Sequence, residues 1–394
     1  MTLVISIIVL LFLLYIMLII YYKISWSSIP DFTATKPLNQ LSTKISVIIP
    51  ARNEAQEIKK CLQAVCNQTY PAGLFEVIVV DDFSTDNTAE IVLSFQSSNI
   101  RLLHLSDFVS EKLNSYKKKA IEIAIGASTG SLIVTTDADC FMGKHWLQTI
   151  ASLYENDAPA FIAAPVVINN DDQFIEIFQA LDFMTLQGIT GAAVYKKIHG
   201  MCNGANLAYE KNVFNEVNGF SGIDTIASGD DLLLMHKIAA KYPNRIAFLK
   251  SSEAIVHTQP VHTIGSFFNQ RIRWASKADK YHDKSILPVL VIVYFFNVAL
   301  LVLPFISIFN NTTILQLHFG NVLINLTPWL CWLFLLIMKT AVELLFLSGV
   351  AGFFNKKKIL WWFPVMQPFH IIYTVVAGWL GKFGTYQWKE RKVN

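Results

Sequence analysis

The segment Ile45-Ser-Val-Ile-Ile-Pro-Ala-Arg-Asn-Glu54 contains a β-branched run that stops at a proline and is followed by a polar turn. Such a run is typical of a buried strand, and the helical spacing of Ile58, Leu62 and Val65 predicts a helix over 53–67. The same order recurs, with strands predicted over 75–80, 100–105 and 131–135 and helices over 85–95 and 116–127. Alternating strands and helices predict parallel pairing with right-handed crossovers, and hence an α/β fold.

Polar sequence follows three of these predicted strands, at 50–54, 81–86 and 137–139. In sheets of this kind ligands bind beyond the carboxyl ends of the strands, so we expect the site at that edge. The sequence contains neither Gly-x-Gly-x-x-Gly nor Gly-x4-Gly-Lys-Ser/Thr, which argues against the usual dinucleotide fold and the P-loop. Phosphates would then have to be held by a metal ion and cationic side chains.

Asp137 and Asp139 stand two residues apart, directly after the fourth predicted strand. Two carboxylates at this spacing can converge on one hard divalent cation, which takes oxygen ligands and shares them with phosphate. An Asp-x-Asp pair also occurs in ordinary solvated loops. The position of this pair at the sheet edge, near the acidic end of the second strand, favours a metal site.

Asp230 and Asp231 precede an apolar helix predicted over 232–240. Carboxylates at a helix start cap free N–H groups and meet the positive end of the dipole, so one of the two needs no other role. The other is a candidate general base, and we assign that role to Asp231, on the helix side.

An amphipathic segment is predicted over 264–281. Four side chains share one of its faces at helical spacing: Gln270, Arg273, Trp274 and Lys277. A cation and an amide suit a diphosphate through charge-assisted hydrogen bonds, and an indole suits a sugar ring by stacking. An interfacial helix with Trp and Lys/Arg at the lipid headgroups explains the same pattern.

Four apolar segments are long enough to cross the bilayer, whose core of about 30 Å needs about 20 helical residues. They are 3–22, 286–309, about 322–354 and 359–380. The first has an uncharged start and no small-residue cleavage site, so we interpret it as an anchor and not as a signal peptide. The lysines that flank the first two segments put residues 23–285 in the cytoplasm by the positive-inside rule.

The last segment poses a conflict, because four full crossings would leave the basic tail outside, whereas its charge favours the cytoplasm. Pro364 and Pro368 allow a re-entrant or interfacial segment, which would keep the tail inside. Lys339 and Glu343, one helical turn apart in the third segment, are expected to form an ion pair inside the bundle.

The composition agrees with this division. The 394 residues are 53% apolar and 15% charged, whereas soluble domains carry roughly 25% charged residues. These values exclude disorder and argue against a uniformly soluble protein. The five cysteines fit no zinc or thioredoxin spacing and indicate reduced thiols. Residues 286–394 hold eight Lys/Arg and two Asp/Glu, so the net charge of +3 comes from the membrane part and does not indicate nucleic-acid binding.

Four motifs in this order resemble those of the membrane-embedded family-two glycosyltransferases. That family includes cellulose, chitin, hyaluronan and poly-N-acetylglucosamine synthases and, more loosely, ceramide glucosyltransferase. The motifs are Val47-Ile-Ile-Pro-Ala-Arg-Asn-Glu54, Val80-Asp-Asp-Phe-Ser-Thr-Asp86, Asp137-Ala-Asp139 and Gln270-Arg-Ile-Arg-Trp274. The resemblance implies a GT-A-like, Rossmannoid mixed α/β sheet, flanked by one N-terminal and about three C-terminal transmembrane helices.

The resemblance further implies inverting transfer from a nucleotide-diphosphate sugar, usually a uridine one, with Mg²⁺ or Mn²⁺ held by Asp137 and Asp139 and with Asp231 as base. Donor-binding roles fall on Pro50, Arg52, Glu54, Asp81, Asp82, Lys119, Asp137, Gln270 and Arg273. Acceptor-binding roles fall on Trp274 and Asp230. The family commonly has Glu-Asp where this chain has Asp230-Asp231, so the first carboxylate is one methylene shorter.

The expected organisation is a transmembrane helix over 1–22, a cytoplasmic catalytic domain over 23–263, an amphipathic helix over 264–285, a transmembrane bundle over 286–380 and a basic tail over 381–394. We expect a multi-pass protein of a bacterial plasma membrane. Its expected partners are the bilayer, the nucleotide-sugar donor, a lipid or glycan acceptor and subunits of an export complex, but no nucleic acid.

Several functions remain open at this point. Processive polysaccharide synthesis and single-sugar transfer to a lipid both fit a membrane-bound transferase. A non-catalytic nucleotide-sugar-binding subunit of a membrane synthase is a further alternative, which the intact carboxylates disfavour. A phosphatase built on Asp-x-Asp is disfavoured because in that chemistry the motif normally follows the first strand.

Overall fold

The structure is a computed structural model of the chain. It describes all residues except 1, 96, 112, 172, 199–200, 227–228, 277–285, 310–314, 320–321, 384–385, 389–390 and 394. The strands are β1 (Ile45–Ala51), β2 (Phe75–Asp81), β3 (Ile100–His104), β4 (Leu132–Thr135), β5 (Phe141–Met142), β6 (Phe161–Ala163), β7 (Val166–Ile168), β8 (Leu207–Glu210), β9 (Ile246–Phe248), β10 (Val256–Thr258), β11 (Leu315–Phe319), β12 (Val322–Leu326), β13 (Tyr386–Trp388) and β14 (Arg391–Val393).

The α-helices alternate with the first strands and then dominate the C-terminal part. They are α1 (Thr2–Ser28), α2 (Ile58–Cys66), α3 (Thr88–Leu93), α4 (Tyr116–Ala127), α5 (Trp146–Asp157), α6 (Phe174–Tyr195), α7 (Lys211–Glu216), α8 (Leu232–Lys241), α9 (Ile264–Ala275), α10 (Ile286–Phe309), α11 (Pro328–Phe353) and α12 (Phe363–Phe383).

The central sheet has the strand order β3-β2-β1-β4-β8-β6-β9 within the part of the chain that the structure describes. The first four strands in sequence pair in parallel, as predicted, while β8 runs antiparallel to both β4 and β6. The predicted mixed α/β sheet is therefore confirmed. A smaller sheet, β5-β10-β7, lies next to it and brings the end of β10 towards the loop after β4.

Two of the predicted helices start later than expected. The helix predicted from residue 53 begins at Ile58, because Asn53 adopts a left-handed conformation (φ 52°) and its side chain accepts a hydrogen bond from the Thr85 N–H. The helix predicted from residue 85 begins at Thr88, after Asp86 has accepted the N–H groups of Thr88 and Ala55. These bonds join the loops after β1 and β2 into one polar edge.

Within the described part of the chain, four helices are long and apolar enough to span a membrane, at 6–28, 286–308, 328–353 and 357–382. Helix α1 continues six residues beyond the predicted end at Tyr22, because Trp26 is buried against Phe248 of the sheet domain and Phe353 of α11. The third segment was predicted to start too early. Residues 322–326 form β12, paired with β11, and the helix begins at Pro328 behind the Thr327 cap.

Helix α6 lies between the sheet domain and the membrane helices. A Cβ atom at Gly188 would lie 2.5 Å from Val350 of α11, and one at Gly191 would lie 2.8 Å from Trp26 of α1. Both glycines therefore permit a close helix approach that a larger side chain would prevent. The sheet domain and the membrane helices consequently form one packed unit around α6.

Helix α12 is continuous through Pro368. It follows a 3₁₀ turn at Lys357–Trp362, and just before this turn Lys356 donates a hydrogen bond to Asn170 of the sheet domain. At the other end, Gly381 packs against Ala275 of α9, which also belongs to the catalytic side. The segment just before the turn that leads into α12 therefore contacts the sheet domain, and the C-terminal end of α12 contacts α9.

Inside the bundle, Lys339 and Glu343 form the predicted ion pair, with their charged atoms 2.9 Å apart. Gln367 of α12 contacts both side chains, and the Tyr15 hydroxyl of α1 donates to Glu343. The pair thus connects α1, α11 and α12, which gives it a packing role in the bundle.

Candidate active site

A cleft of about 520 Å³ opens at the carboxyl ends of β1 and β4. The sheet edge forms one wall, α6 and α9 form another, and the loops before β8 and α8 close the end. Of the residues predicted from sequence to form the site, eleven line this cleft: Pro50, Arg52, Glu54, Asp82, Asp137, Asp139, Asp230, Asp231, Gln270, Arg273 and Trp274. Segments that are far apart in sequence therefore meet at the carboxyl ends of the strands, where the site was predicted.

Asp81 and Lys119 are the two predicted residues that do not line the cleft. One Asp81 oxygen accepts the Ser84 N–H at 3.3 Å, and the other lies 3.5 Å from the His104 imidazole. Asp81 thus shapes the turn after β2, while its neighbour Asp82 faces the cleft.

The three consecutive lysines at the start of α4 point in different directions. Lys119 lies on the outer face, with its ammonium 2.8 Å from Glu122, so the structure does not bring it to the cleft where its donor-binding role was predicted. Lys118 is buried and donates to the carbonyl oxygens of Ile223 and Ile226, in the loop that leads to Asp230. Lys117 is the lysine that enters the cleft.

Lys117 links two of the predicted carboxylates. Its ammonium lies 2.7 Å from Asp137 and 3.2 Å from Asp230. Burial alone would lower the pKa of Lys117, but the charges of Asp137, Asp230 and Asp231 outweigh it and raise the pKa above its ordinary value. Lys117 therefore stays cationic and provides fixed positive charge in an otherwise acidic part of the cleft.

Asp231 is held by two backbone N–H groups. Oδ1 accepts the Leu232 N–H at 2.7 Å, which caps α8, and Oδ2 accepts the Gly204 N–H at 3.1 Å. The candidate base therefore also performs the capping role. Each carboxylate oxygen has a second lone pair, so these bonds orient the group without using its full accepting capacity.

Gly204 makes this arrangement possible. A Cβ atom at this position would lie 3.2 Å from the Asp230 carboxylate and 3.4 Å from the Lys117 ammonium. The Gly204 carbonyl also accepts a bond from the Thr135 hydroxyl, which ties the loop to the end of β4. The absence of a side chain at 204 thus lets three charged groups come together.

Asp139 is oriented by its neighbours on either side. The Thr258 hydroxyl donates to its Oδ2 at 3.3 Å, and the Cys140 thiol donates to its Oδ1 at 3.4 Å. Burial, reinforced by the negative charges of Asp139 and Asp137, raises the pKa of the Cys140 thiol. Cys140 is therefore a neutral hydrogen-bond donor and not a thiolate ligand.

The carboxylate oxygens in the cleft fit a hard divalent cation whose coordination shell is completed by substrate. Among the described residues no group of three or more His, Cys, Asp or Glu side chains surrounds one point. Asp137 and Asp139 nevertheless supply two carboxylates that face the cleft. Mg²⁺ is commonly held by one or two carboxylates together with substrate phosphates, so a two-carboxylate site beside an open cleft meets this requirement.

The far end of the cleft is built by the β1 and β2 loops. Arg52 donates from Nη1 to the carbonyl oxygens of Asp82 and Phe83, each at 2.8 Å. These bonds fix the loop in which Phe83 adopts a left-handed conformation (φ 53°). The Arg52 guanidinium also lines the cleft and brings positive charge to this end.

Helix α9 presents Gln270, Arg273 and Trp274 to the cleft, as its spacing predicted. The Thr263 hydroxyl accepts the Ser266 N–H in a capping box, which fixes where the helix begins. The Trp274 ring lies 6.1 Å from the ring of Phe183 on α6, so the cleft has an aromatic wall. Lys277, predicted on the same face, lies outside the described residues.

Lys117 and Thr258 were missed by the sequence reasoning. Lys117 shares a helical face with Ala120 and Ala124, both fully buried, and this periodicity distinguishes it from Lys119. Thr258 follows a three-residue strand of the small sheet, and no local pattern connects it with Asp139.

Two family descriptions match the chain: Glycosyl transferase family 2 over residues 46–217, and Glycosyl transferase family group 2 over residues 132–380. Glycosyltransferase AglE of Haloferax volcanii is 40% identical over 104 residues, which is 26% of this chain and 33% of that protein. Poly-beta-1,6-N-acetyl-D-glucosamine synthase of Staphylococcus epidermidis is 24% identical over 267 residues, 65% of this chain and 60% of that protein.

A similar solved structure is that of the mannosyltransferase PcManGT from Pyrobaculum calidifontis, which was determined in complex with GDP-Man and Mn²⁺. It covers 95% of this chain and 98% of its own, at 18% identity and a TM-score of 0.53. This likeness concerns the fold. The chain spans a third to three fifths of the length of the two curated relatives named above. The second family match covers more than half of the chain, so the chain belongs to glycosyl transferase family group 2.

Proposed function

We propose that this chain is an inverting, metal-dependent glycosyltransferase that moves a sugar from a nucleotide-diphosphate donor, a UDP-sugar, to a membrane-associated glycan or lipid. The observation that carries the proposal is the convergence in one cleft of the Asp137–Asp139 pair, the Lys117 cation, Asp231 and the α9 face. Sugar transfer with a diphosphate leaving group requires a metal ion held by carboxylates, fixed cations and a separate carboxylate that serves as base. The cleft contains side chains suited to each of these roles.

The donor would lie along the sheet edge. Arg52, Glu54 and Asp82 form the end of the cleft suited to the nucleoside, since they offer polar groups on the β1 and β2 loops. The diphosphate would lie between Asp137 and α9, within reach of Lys117 and Arg273. A divalent cation held by Asp137 and Asp139 supplies charge neutralisation on the departing diphosphate.

Asp231 would act on the acceptor. Its carboxylate takes the proton from an acceptor hydroxyl as the oxygen of that hydroxyl attacks the anomeric carbon. The bond from the anomeric carbon to the diphosphate oxygen breaks, and the nucleoside diphosphate leaves with the electron pair. A single in-line displacement inverts the anomeric centre, so an α-linked donor gives a β-linked product.

The position of α6 and α9 is consistent with an acceptor located in the membrane. Helix α6 packs directly against α1 and α11, and α9 packs against α12. The cleft thus lies beside the membrane helices. A growing glycan and a lipid both suit an acceptor in this position.

A screen of labelled nucleotide sugars with membranes that contain the full chain tests the proposal. We expect one donor class to give label in a membrane-associated product, which mass analysis then identifies. A ladder of product sizes would indicate processive synthesis, and one discrete glycolipid would favour single transfer. Folded protein that transfers sugar from no donor would contradict the proposal.

We predict that Lys117→Ala strongly impairs the use of donor, whereas the neighbouring Lys119→Ala has little effect. A charge-assisted hydrogen bond to a diphosphate contributes about 1.5–3 kcal/mol, so kcat/KM for the donor should fall about 10- to 100-fold in Lys117→Ala. Steady-state kinetics of the two variants in the same membranes provide the measurement. Equal losses in both variants would show that Lys117 has no special role.

Two contacts also support a cytoplasmic C-terminus: Lys356, before α12, bonds to Asn170 of the sheet domain, and Gly381, near the end of α12, packs against Ala275 of α9. We predict that a green fluorescent protein fused after residue 394 fluoresces in bacterial cells, since this reporter folds on the cytoplasmic side only. A fusion truncated after residue 320, between α10 and α11, is the control and should stay dark. A dark full-length fusion would indicate that α12 crosses the membrane completely.

A further inference from the structure

A buried ion pair lies behind the cleft-facing side of α9. The Arg271 Nη2 atom of α9 is 2.6 Å from Oδ2 of Asp182 on α6, and both side chains are only 4% exposed. Neither residue lines the cleft. The pair is therefore separate from the groups that would touch donor or acceptor.

Arg271 nevertheless contacts two of the cleft residues. Its Nη1 donates to the Gln270 Oε1 at 2.9 Å, and its guanidinium carbon lies 4.2 Å from the centre of the Trp274 ring. Because the Gln270 oxygen is engaged by Arg271, its NH₂ group remains to donate hydrogen bonds. One guanidinium thus orients both the Gln270 amide and the Trp274 indole.

Asp182 also connects this pair to the membrane helices. The Tyr373 hydroxyl of α12 donates a hydrogen bond to the Asp182 Oδ1. Two phenylalanine rings, Phe178 of α6 and Phe267 of α9, pack against the Tyr373 ring at centroid distances of 5.5 Å and 5.3 Å. Asp182 is therefore the common partner of α12, through Tyr373, and of α9, through Arg271.

The position of Arg271 depends on Asp182 to an unusual degree. Arg271 Nε and Nη2 have no aligned hydrogen-bond partner among the described residues, so Asp182 holds Nη2 by charge attraction. The remaining contacts of the guanidinium are the Gln270 oxygen and the rings of Phe267 and Trp274. A buried charge that loses its counter-charge is strongly unfavourable, so the guanidinium would move if Asp182 became neutral.

We propose that Asp182 and Arg271 are positioning residues that set the orientation of Gln270 and Trp274, and that Tyr373 makes this orientation depend on the packing of α12. The inference rests on the proposed function in one respect, namely that the cleft is the site of sugar transfer. The arrangement of α9 itself can be tested without any catalysis.

The first test is hydrogen–deuterium exchange of the full chain in lipid nanodiscs. In Asp182→Asn, amides of 264–275 should exchange at least about fivefold faster than in the wild type, because the helix loses its buried anchor. Peptides from β1 and β2 should not change. The control is Glu343→Gln, which removes an equally buried carboxylate that pairs with Lys339 of its own helix, α11. Unchanged exchange over 264–275 overturns the positioning role.

The second test is a pair of double-mutant cycles on sugar transfer. Asp182→Asn should lower kcat by about 10- to 100-fold with donor KM changed by no more than about twofold, as expected for misplaced groups. In a Trp274→Ala background the same change should cost less than in the wild type, since the part of its effect that passes through the ring is already lost and only the part through Gln270 remains. In an Arg52→Lys background, at the other end of the cleft, the losses should multiply.

Outcomes of the two tests separate the inference from the proposed function. Losses that multiply in both backgrounds would overturn the coupling through Trp274. If the wild type transfers sugar from no donor, the proposed function fails and the exchange measurement alone decides the anchoring of α9. Should Asp182→Asn fail to accumulate, Asp182→Glu and Tyr373→Phe replace it, and normal exchange and kcat in both would contradict the proposal.

Discussion

Asp231→Asn is expected to reduce sugar transfer by about 10²- to 10⁴-fold, the contribution that a positioned general base makes to such a reaction. Asparagine caps helices as well as aspartate does, so its one oxygen can keep the Leu232 N–H bond at the start of α8, while the Gly204 N–H loses its acceptor. The amide cannot take a proton from the acceptor. Donor binding should be nearly unchanged, because the substitution alters the acceptor step. Steady-state kcat and donor KM in membranes are the measurements.

Asp230→Asn serves as the matched comparison for that prediction. Asp230 pairs with Lys117 at 3.2 Å, whereas Asp231 accepts backbone N–H groups from Leu232 and Gly204. We therefore expect Asp230→Asn to weaken donor or acceptor binding and to leave much more of kcat. If Asp231→Asn kept full activity, or if Asp230→Asn were the more damaging change, the base would be misassigned.

Removal of the divalent cation is expected to stop the reaction, and Asp139→Ala should reproduce this loss. Metal assistance of a departing diphosphate is worth several kcal/mol, so transfer should fall by at least about 100-fold. Chelator-treated wild-type membranes should recover when Mg²⁺ or Mn²⁺ is added back. Asp139→Ala membranes should not recover at the same concentrations.

Asp157→Ala is the control for that experiment, because Asp157 is an exposed aspartate at the end of α5. It should behave as the wild type in both the chelation and the recovery steps. Full transfer in the presence of chelator would contradict the proposed cation requirement. Recovery of Asp139→Ala at wild-type metal concentrations would show that Asp139 is not a ligand.

The sequence predicted the sheet edge well because short β-branched runs have few alternatives to burial. Residues 45–50 and 75–80 formed strands almost within the predicted bounds, and Asp137 and Asp139 follow β4 as expected. Since the carboxyl ends of parallel strands meet at one edge, the polar loops after them converge without further information. The central part of the site followed from this rule.

The errors came from contacts that no local pattern contains. Val322 to Leu326 are apolar enough for a span, but cross-strand pairing with residues 315–319 placed them in a hairpin. Lys117 is an exception, because its helical spacing with Ala120 and Ala124, both buried, is a local signal that distinguishes it from Lys119. Asp182 and Arg271 are 89 positions apart in sequence, so their pairing depends on how α6 and α9 pack.

Sugar transfer from a nucleotide-diphosphate donor can be tested by the stoichiometry of one reaction. The reaction contains the purified chain in nanodiscs and a nucleotide sugar from the donor screen. The nucleoside diphosphate released and the sugar linked to acceptor are measured in the same sample. We predict one linked sugar for each nucleoside diphosphate released, with both products lost in Asp231→Asn. Tight donor binding without either product, or release of inorganic phosphate without linked sugar, would contradict a glycosyltransferase.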